Sequence, residues 1–222
     1  MVIALSSDLD WAPDETINYF LDILDEYKCK ITIFGTHKIN YRQHEIALHP
    51  NTFKHKDHLD AIKEIHQVFQ QAKGVRMHGL QVWNRLLLDL PKFNLKYDSS
   101  YFMPDQQIKP YEIFPGVIEL PIYWEDDLAM IRNSLKINKD RLKEQQTSDY
   151  LYLYNFHPIH IYMNTYDMKF YESWKSNYQI PIELQKRRNQ EKYGADNALR
   201  DILDTIETSD LKTMTEIIND QF

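Results

Sequence analysis

One cysteine, Cys29, stands in 222 residues. The chain can therefore form no internal disulfide, which fits a reducing, cytoplasmic setting. No run approaches the ~20 consecutive apolar residues that a membrane-crossing helix needs. A signal peptide is not expected either, because Met1 opens into a short strand-like run without a charged leader or a long apolar stretch. An excess of positive charge is also lacking. With 26 Lys and Arg against 33 Asp and Glu, the net charge is -7, which speaks against nucleic acid as a partner because phosphates call for clustered cations. No internal repeat or low-complexity linker divides the chain. Its 43% hydrophobic and 27% charged residues are those of an ordinary globular protein. One domain over residues 1–222 is expected, somewhat short of the ~250 residues of a full eight-stranded α/β barrel.

What is present is a series of short apolar runs that end in acids and histidines. Met1 to Leu5 runs into Ser6-Ser7-Asp8-Leu9-Asp10-Trp11, and Glu45 to Leu48 into His49-Pro50-Asn51. Gly74-Val75 leads to Arg76-Met77-His78, and Leu151 to Phe156 leads to His157-Pro158-Ile159-His160. Runs of about five apolar residues have the length of buried strands. Lys30 to Gly35, Leu95 to Asp98 and Val117 to Pro121 add three more. Between them lie helical patterns: Ile17, Phe20, Leu21, Leu24 and Tyr27 after Pro13-Asp14-Glu15, then Leu59, Ile62, Ile65, Val68 and Phe69, then Val82 to Leu90. Cys29, at the end of the first helix, reads as a small buried apolar residue. The end is helical again, with a stripe of Leu199, Ile202, Leu203 and Ile206 and a last helix that Thr208-Ser209-Asp210 could cap. Tyr162 to Tyr193 shows no clear period and reads as a long loop that could hold a helical turn. Alternation of strand and helix predicts a parallel α/β fold, a distorted barrel of about seven strands, whose carboxyl edge is where such folds build active sites.

Asp8 and Asp10 are two apart, so on an extended backbone both project to one face. Adjacent carboxylates are tolerated when a metal neutralises one or when one holds a proton, and otherwise as two solvated acids. His49, ending an apolar run before Pro50, suits a metal ligand. His44 begins that same run and belongs at the opposite end, while His55 and His58 read as surface residues. Arg76 beside Asp8 would hold it ionised. Either His157 or His160 could act as a general acid or base.

Together these motifs resemble the NodB-homology polysaccharide deacetylases, and most closely their divergent WbmS-like branch. Ser7-Asp8-Leu9-Asp10-Trp11, Glu45 to Asn51, Gly74 to Leu80, Tyr97-Asp98-Ser99-Ser100, Glu119-Leu120-Pro121 with Trp124, and Phe156-His157-Pro158 follow the family order. The resemblance implies a metal-dependent hydrolase that removes an N-acetyl group from a sugar in surface-polysaccharide biosynthesis. It implies Asp8 as base, Arg76 as its steadying partner and His157 as general acid. Asp10 and His49 would bind a divalent metal, zinc by default. The family's second motif has a further histidine where this chain has Phe53, so His78 is the expected third ligand. The first motif carries an inserted Leu9, leaving the reverse assignment of Asp8 and Asp10 open. Glu45 could instead serve the strand's packing. Backbone amides near Gly79 and Leu80 could assist the oxyanion, and Trp11, Tyr101 and Trp124 could stack on the sugar. The alternatives are a carbohydrate-binding protein that has lost activity, supported by Phe53, and a hydrolase of a small amide on the same fold.

Overall fold

The apolar runs form strands in the computed structural model, which describes residues 2–55 and 57–222, the Val2 side chain excepted. Met1 of the first run and Lys56 of the polar stretch after His49 lie outside the described residues. The strands are β1 (Val2–Asp8), β2 (Thr32–Gly35), β3 (Glu45–Leu48), β4 (Gly74–Val75), β5 (Tyr97–Asp98), β6 (Tyr111–Phe114), β7 (Val117–Glu119), β8 (Ile122–Glu125) and β9 (Leu151–Phe156). The helices are α1 (Asp14–Glu26), α2 (His58–Val68), α3 (Asn84–Asp89), α4 (Asp126–Ile131), α5 (Lys139–Gln145), α6 (Pro158–Met163), α7 (Met168–Trp174), α8 (Pro181–Gln185), α9 (Ala195–Leu203) and α10 (Met214–Gln221). Among the described residues no helix is long and apolar enough to cross a membrane.

The sheet runs β6-β7-β5-β4-β3-β2-β1-β9-β8. Every pairing is parallel except β6 with β7. β7 and β8 are two limbs of one run bent at Leu120-Pro121, where proline offers no amide to a ladder. The chain beyond β5 then reaches β8: Phe102 bridges Ile122 in parallel, with Ile122 N–H donating to Tyr101 O and Met103 N–H to Ile122 O, both at 2.8 Å. That bridge closes the sheet into a distorted parallel barrel, with β7 and β8 together serving as one stave.

Inward positions of the barrel carry Ala4, Phe34, Ala47, Tyr97, Leu151 and Leu153, which pack with Met214, Ile217 and Ile218 of α10. The last helix thus plugs one mouth. Glu45 fastens it there, accepting from Thr215 N–H at 3.1 Å, Tyr97 O–H at 2.8 Å and Thr32 O–H at 2.8 Å. Its role is packing at the end remote from His49. His44 lies at that end too, buried, and burial pushes its imidazole down to about 4. Gly74 is required by close approach, since a Cβ there would fall 1.9 Å from the Tyr97 ring.

Three sequence expectations are corrected. The Tyr162 to Tyr193 segment is helical in α6, α7 and α8, because Phe170, Tyr171 and Trp174 recur at helical spacing and Trp174 is fully buried. Residues Thr208–Asp210 form a 3-10 turn, and Thr213 caps α10 instead, its hydroxyl accepting from Glu216 N–H while Glu216 accepts from Thr213 N–H. His58 is not a free surface residue: it is nearly buried on Asp89, at 3.0 Å, with its ring against Trp83. His55 is partly exposed beside Glu64, and Cys29 is buried as expected.

Asp98 and Glu119 face each other in the β5–β7 ladder, both buried. Ser100 donates to Asp98 Oδ1 at 2.7 Å and Tyr101 N–H to Glu119 Oε1 at 3.3 Å. Asp98 Oδ2 and Glu119 Oε2 have no hydrogen-bond partner among the described residues. A proton shared between them satisfies both, and burial together with the facing Asp98 charge holds the Glu119 carboxyl well above its ordinary 4.5. A carboxyl raised by folding contributes stability that is complete below its unfolded value and is lost as pH rises through the folded one. Glu119→Gln keeps the hydrogen bond without the proton. Its melting temperature is expected to fall less than the wild type's above pH 4.5, measured by thermal denaturation across pH.

Candidate active site

The β1 run ends in a sharp turn. Asp10 and Trp11 take positive φ, 45° and 55°, a conformation that costs non-glycine residues about 1–2 kcal/mol each. The turn is braced from outside the motif: Tyr178 O–H donates to Asp10 O and Gln179 Nε2–H to Trp11 O, both at 3.0 Å. The segment before α8 therefore anchors the motif. Because of this turn, Asp8 and Asp10 do not share a strand face. Asp8 points into the barrel, while Asp10 turns over the carboxyl edge towards the histidines.

Asp10 Oδ1 lies 2.9 Å from His49 Nε2 and 3.0 Å from His78 Nδ1. His49, almost fully buried, commits its Nδ1–H to Arg76 O at 2.9 Å, which leaves Nε2 free to face the carboxylate. His78 enters from a 3-10 turn after β4, with its own N–H held by Pro50 O. Burial opposes the Asp10 charge, but His49, His78 and His157 outweigh it and hold the carboxyl well below the usual range. One oxygen and two imidazole nitrogens, all within 4.8 Å of one another, form a donor set suited to a tetrahedral cation with a position left open.

Asp8, two residues before Asp10, is nearly fully buried. Arg76 Nη1 donates to Asp8 Oδ1 at 2.8 Å and Asn155 Nδ2 to Oδ2 at 3.1 Å. The guanidinium is wholly buried, donates also to Ser99 O and Ser99 Oγ at 2.7 Å, and lies 4.0 Å over the Phe34 ring. A buried charge so fully hydrogen-bonded is fixed in place. A carboxylate has about four acceptor positions, so Asp8 keeps capacity beyond these two contacts.

His157 follows β9 and places Nε2 3.6 Å from Asp10 Oδ2. Asp126, the first residue of α4 directly after β8 and fully buried, accepts His157 Nδ1–H at 2.7 Å and its backbone N–H at 2.9 Å. Burial pushes the His157 imidazole down, but Asp126, Asp127 and Asp10 outweigh it, so its pKa stands well above the ordinary value. His160 lies behind on α6 against Thr165 Oγ1, and burial lowers it.

The stacking candidates separate. Trp11 stands against His78 at 5.0 Å between ring centroids, with Lys54 over its ring at 5.1 Å. Trp124 packs on Phe156 and Tyr154 and lines a separate cavity. Tyr101 spends its backbone on Ile122 and Glu119. The Leu80 amide is bound to Met77 O at 2.9 Å, so it is not available to an oxyanion.

A family model, WbmS-like polysaccharide deacetylase, matches residues 5–175. No curated protein matches the chain in sequence. Among solved structures, a proposed polysaccharide deacetylase of Bordetella bronchiseptica, involved in O-antigen biosynthesis, is 24% identical, with 92% of this chain and 90% of that one covered at a TM-score of 0.81. A proposed polysaccharide deacetylase of Mycobacterium smegmatis is 15% identical over 99% and 89% of the two chains, with a TM-score of 0.61. The PuuE allantoinase is 11% identical over 98% and 89%, with a TM-score of 0.54. The likenesses to these structures are of fold.

Proposed function

Since the chain belongs to the WbmS-like polysaccharide deacetylases, hydrolases of carbohydrate amides, we propose that it removes an N-acetyl group from a precursor sugar of a surface polysaccharide, in the cytoplasm, with a divalent metal. The observation that carries this reading is the convergence of Asp10, His49 and His78, with His157 beside Asp10 and with Arg76 joined to His49 through its carbonyl and to Asp8 through its guanidinium. Asp10 Oδ1, His49 Nε2 and His78 Nδ1 are the atoms that would hold the ion, zinc by donor type. A divalent ion in such a site polarises an amide carbonyl and lowers the pKa of water from 15.7 towards ~7.

The remaining work falls to the chain itself. Asp8, held in place by the Arg76 guanidinium at 2.8 Å, takes the proton of the attacking water. His157, charged because Asp126 stabilises its imidazolium, gives a proton to the departing amine. Trp11 offers an aromatic face beside the ligand set. His78 fills the role that Phe53 leaves vacant, which weakens the case for a binding protein without activity. Hydrolysis of a small amide remains the competing chemistry.

The test is acetate release from a panel of acetamido sugars and small amides, using protein purified without a metal-binding tag. Chelation is expected to abolish release, and zinc to restore it better than magnesium. Full turnover by metal-free protein would overturn the metal role, and turnover of small amides alone would overturn the sugar.

A further inference from the structure

A cavity of about 170 Å³ lies between β8, the segment after β5, and the α4–α5 connection. At roughly 30 Å³ per water it has room for five or six waters. Three cations, Arg132, Lys136 and Arg141, line it against two carboxylates, Asp105 and Glu125, although the chain as a whole carries -7. Asp105 accepts from Arg132 Nη2 at 2.9 Å and from Arg141 Nη1 at 3.0 Å, holding the two guanidiniums side by side. Each has five N–H donors and spends one here. Lys136 has no acidic partner among the described residues. Asp105 makes this clamp from a positive φ of 62°, strain of a kind that collects at ligand clamps.

The opposite wall is aromatic. Trp124, fixed by Nε1–H donating to Ser134 O at 3.4 Å, stands there with Phe102, both half-buried, and Arg141 lies over the Tyr123 ring at 5.5 Å. Paired guanidinium forks match phosphate oxygens, and an open aromatic face suits a ring or an apolar chain. Glu125 lines the cavity and also accepts from Asn155 Nδ2 at 3.2 Å, the same nitrogen that reaches Asp8 Oδ2. Two side chains therefore separate the cavity from the proposed base.

We propose that this cavity binds the diphosphate of a carrier-linked N-acetyl sugar, so that the substrate is a glycosyl diphosphate. The inference rests on the deacetylase reading for the word substrate and on the cavity alone for the diphosphate. Calorimetric titration with uridine diphosphate and with geranyl diphosphate tests it and tells a nucleotide carrier from a lipid one. At least one is expected to bind the wild-type protein. The exposed pair Arg132→Ala and Lys136→Ala, combined, should weaken it about a hundredfold, roughly tenfold per charge-assisted contact. Lys169→Ala, which removes a cation elsewhere on the surface, is expected to bind normally. If neither diphosphate binds while acetamido sugars are hydrolysed, the proposal falls and the deacetylase reading stands. Equal affinity in the double variant also overturns it. If a diphosphate binds as expected and no acetamido sugar yields acetate, the cavity stands and the deacetylase reading falls.

Discussion

Asp8→Asn is expected to lower acetate release by about a hundred- to ten-thousandfold, the usual worth of a positioned base, while bound metal per chain stays unchanged. The expectation follows from the division of labour between the two acids. Asp10 lies against both imidazoles, whereas the Asp8 carboxylate is hydrogen-bonded to Arg76 and Asn155. If Asp8 were instead the ligand, the same change would remove metal and activity together, which metal analysis would register at once. The substitution also leaves the wholly buried Arg76 charge without its counter-ion, and breaking a buried pair costs about 3–5 kcal/mol. Thermal denaturation should therefore show a destabilised but folded protein, since the asparagine oxygen can still accept from Arg76. Asp8→Glu separates chemistry from stability: the charge is kept and the carboxylate displaced, so stability should largely return and turnover should not. Retained turnover in Asp8→Asn would end the assignment.

Much of this was legible because a barrel strand's end is visible as a change from apolar to polar. His49, Arg76 and His157 follow such ends directly. Asp8 and Asp10 were legible as a pair but not as a geometry, because nothing in Asp-Leu-Asp-Trp announces two successive left-handed residues. The turn depends on Tyr178 and Gln179, more than 160 positions away, in a stretch without periodicity. Asp126 is hidden in the sequence because it opens α4 directly after β8, and β8 itself begins straight after Pro121. Once β8 is seen, Glu125-Asp126-Asp127 is the same signal of acids at a strand end. Asn155 carried a clue of its own. Leu151, Leu153 and Asn155 share one face of β9, so a polar residue at the third inward position has to find partners inside the barrel, which are Asp8, Arg76 and Glu125. The closure of the barrel through Phe102 and Ile122 is an isolated bridge and leaves no mark in composition.

His78→Ala is expected to lose metal affinity by more than the roughly 10- to 100-fold that even an orienting partner of a ligand is worth, with acetate release falling in step. It is a cleaner test of the ligand set than His49→Ala. The His49 side chain is 1% exposed and also supports the Arg76 carbonyl, so its loss disturbs packing, whereas the His78 side chain is 27% exposed and its removal should hardly move the melting temperature. The same site offers a converse experiment. Phe53 stands where the resembling family places a histidine, its exposed ring 5.8 Å from the His78 ring and close over Gly79. If His78 has taken over that ligand's role, then Phe53→His in the His78→Ala background should return part of the metal binding, while Phe53→Ala alone should leave it intact. Equilibrium dialysis with zinc reads all three. Undiminished zinc in His78→Ala, or zinc lost in Phe53→Ala, would mean that the third ligand lies elsewhere in the site, with His157 on the far side of Asp10 the next imidazole in reach.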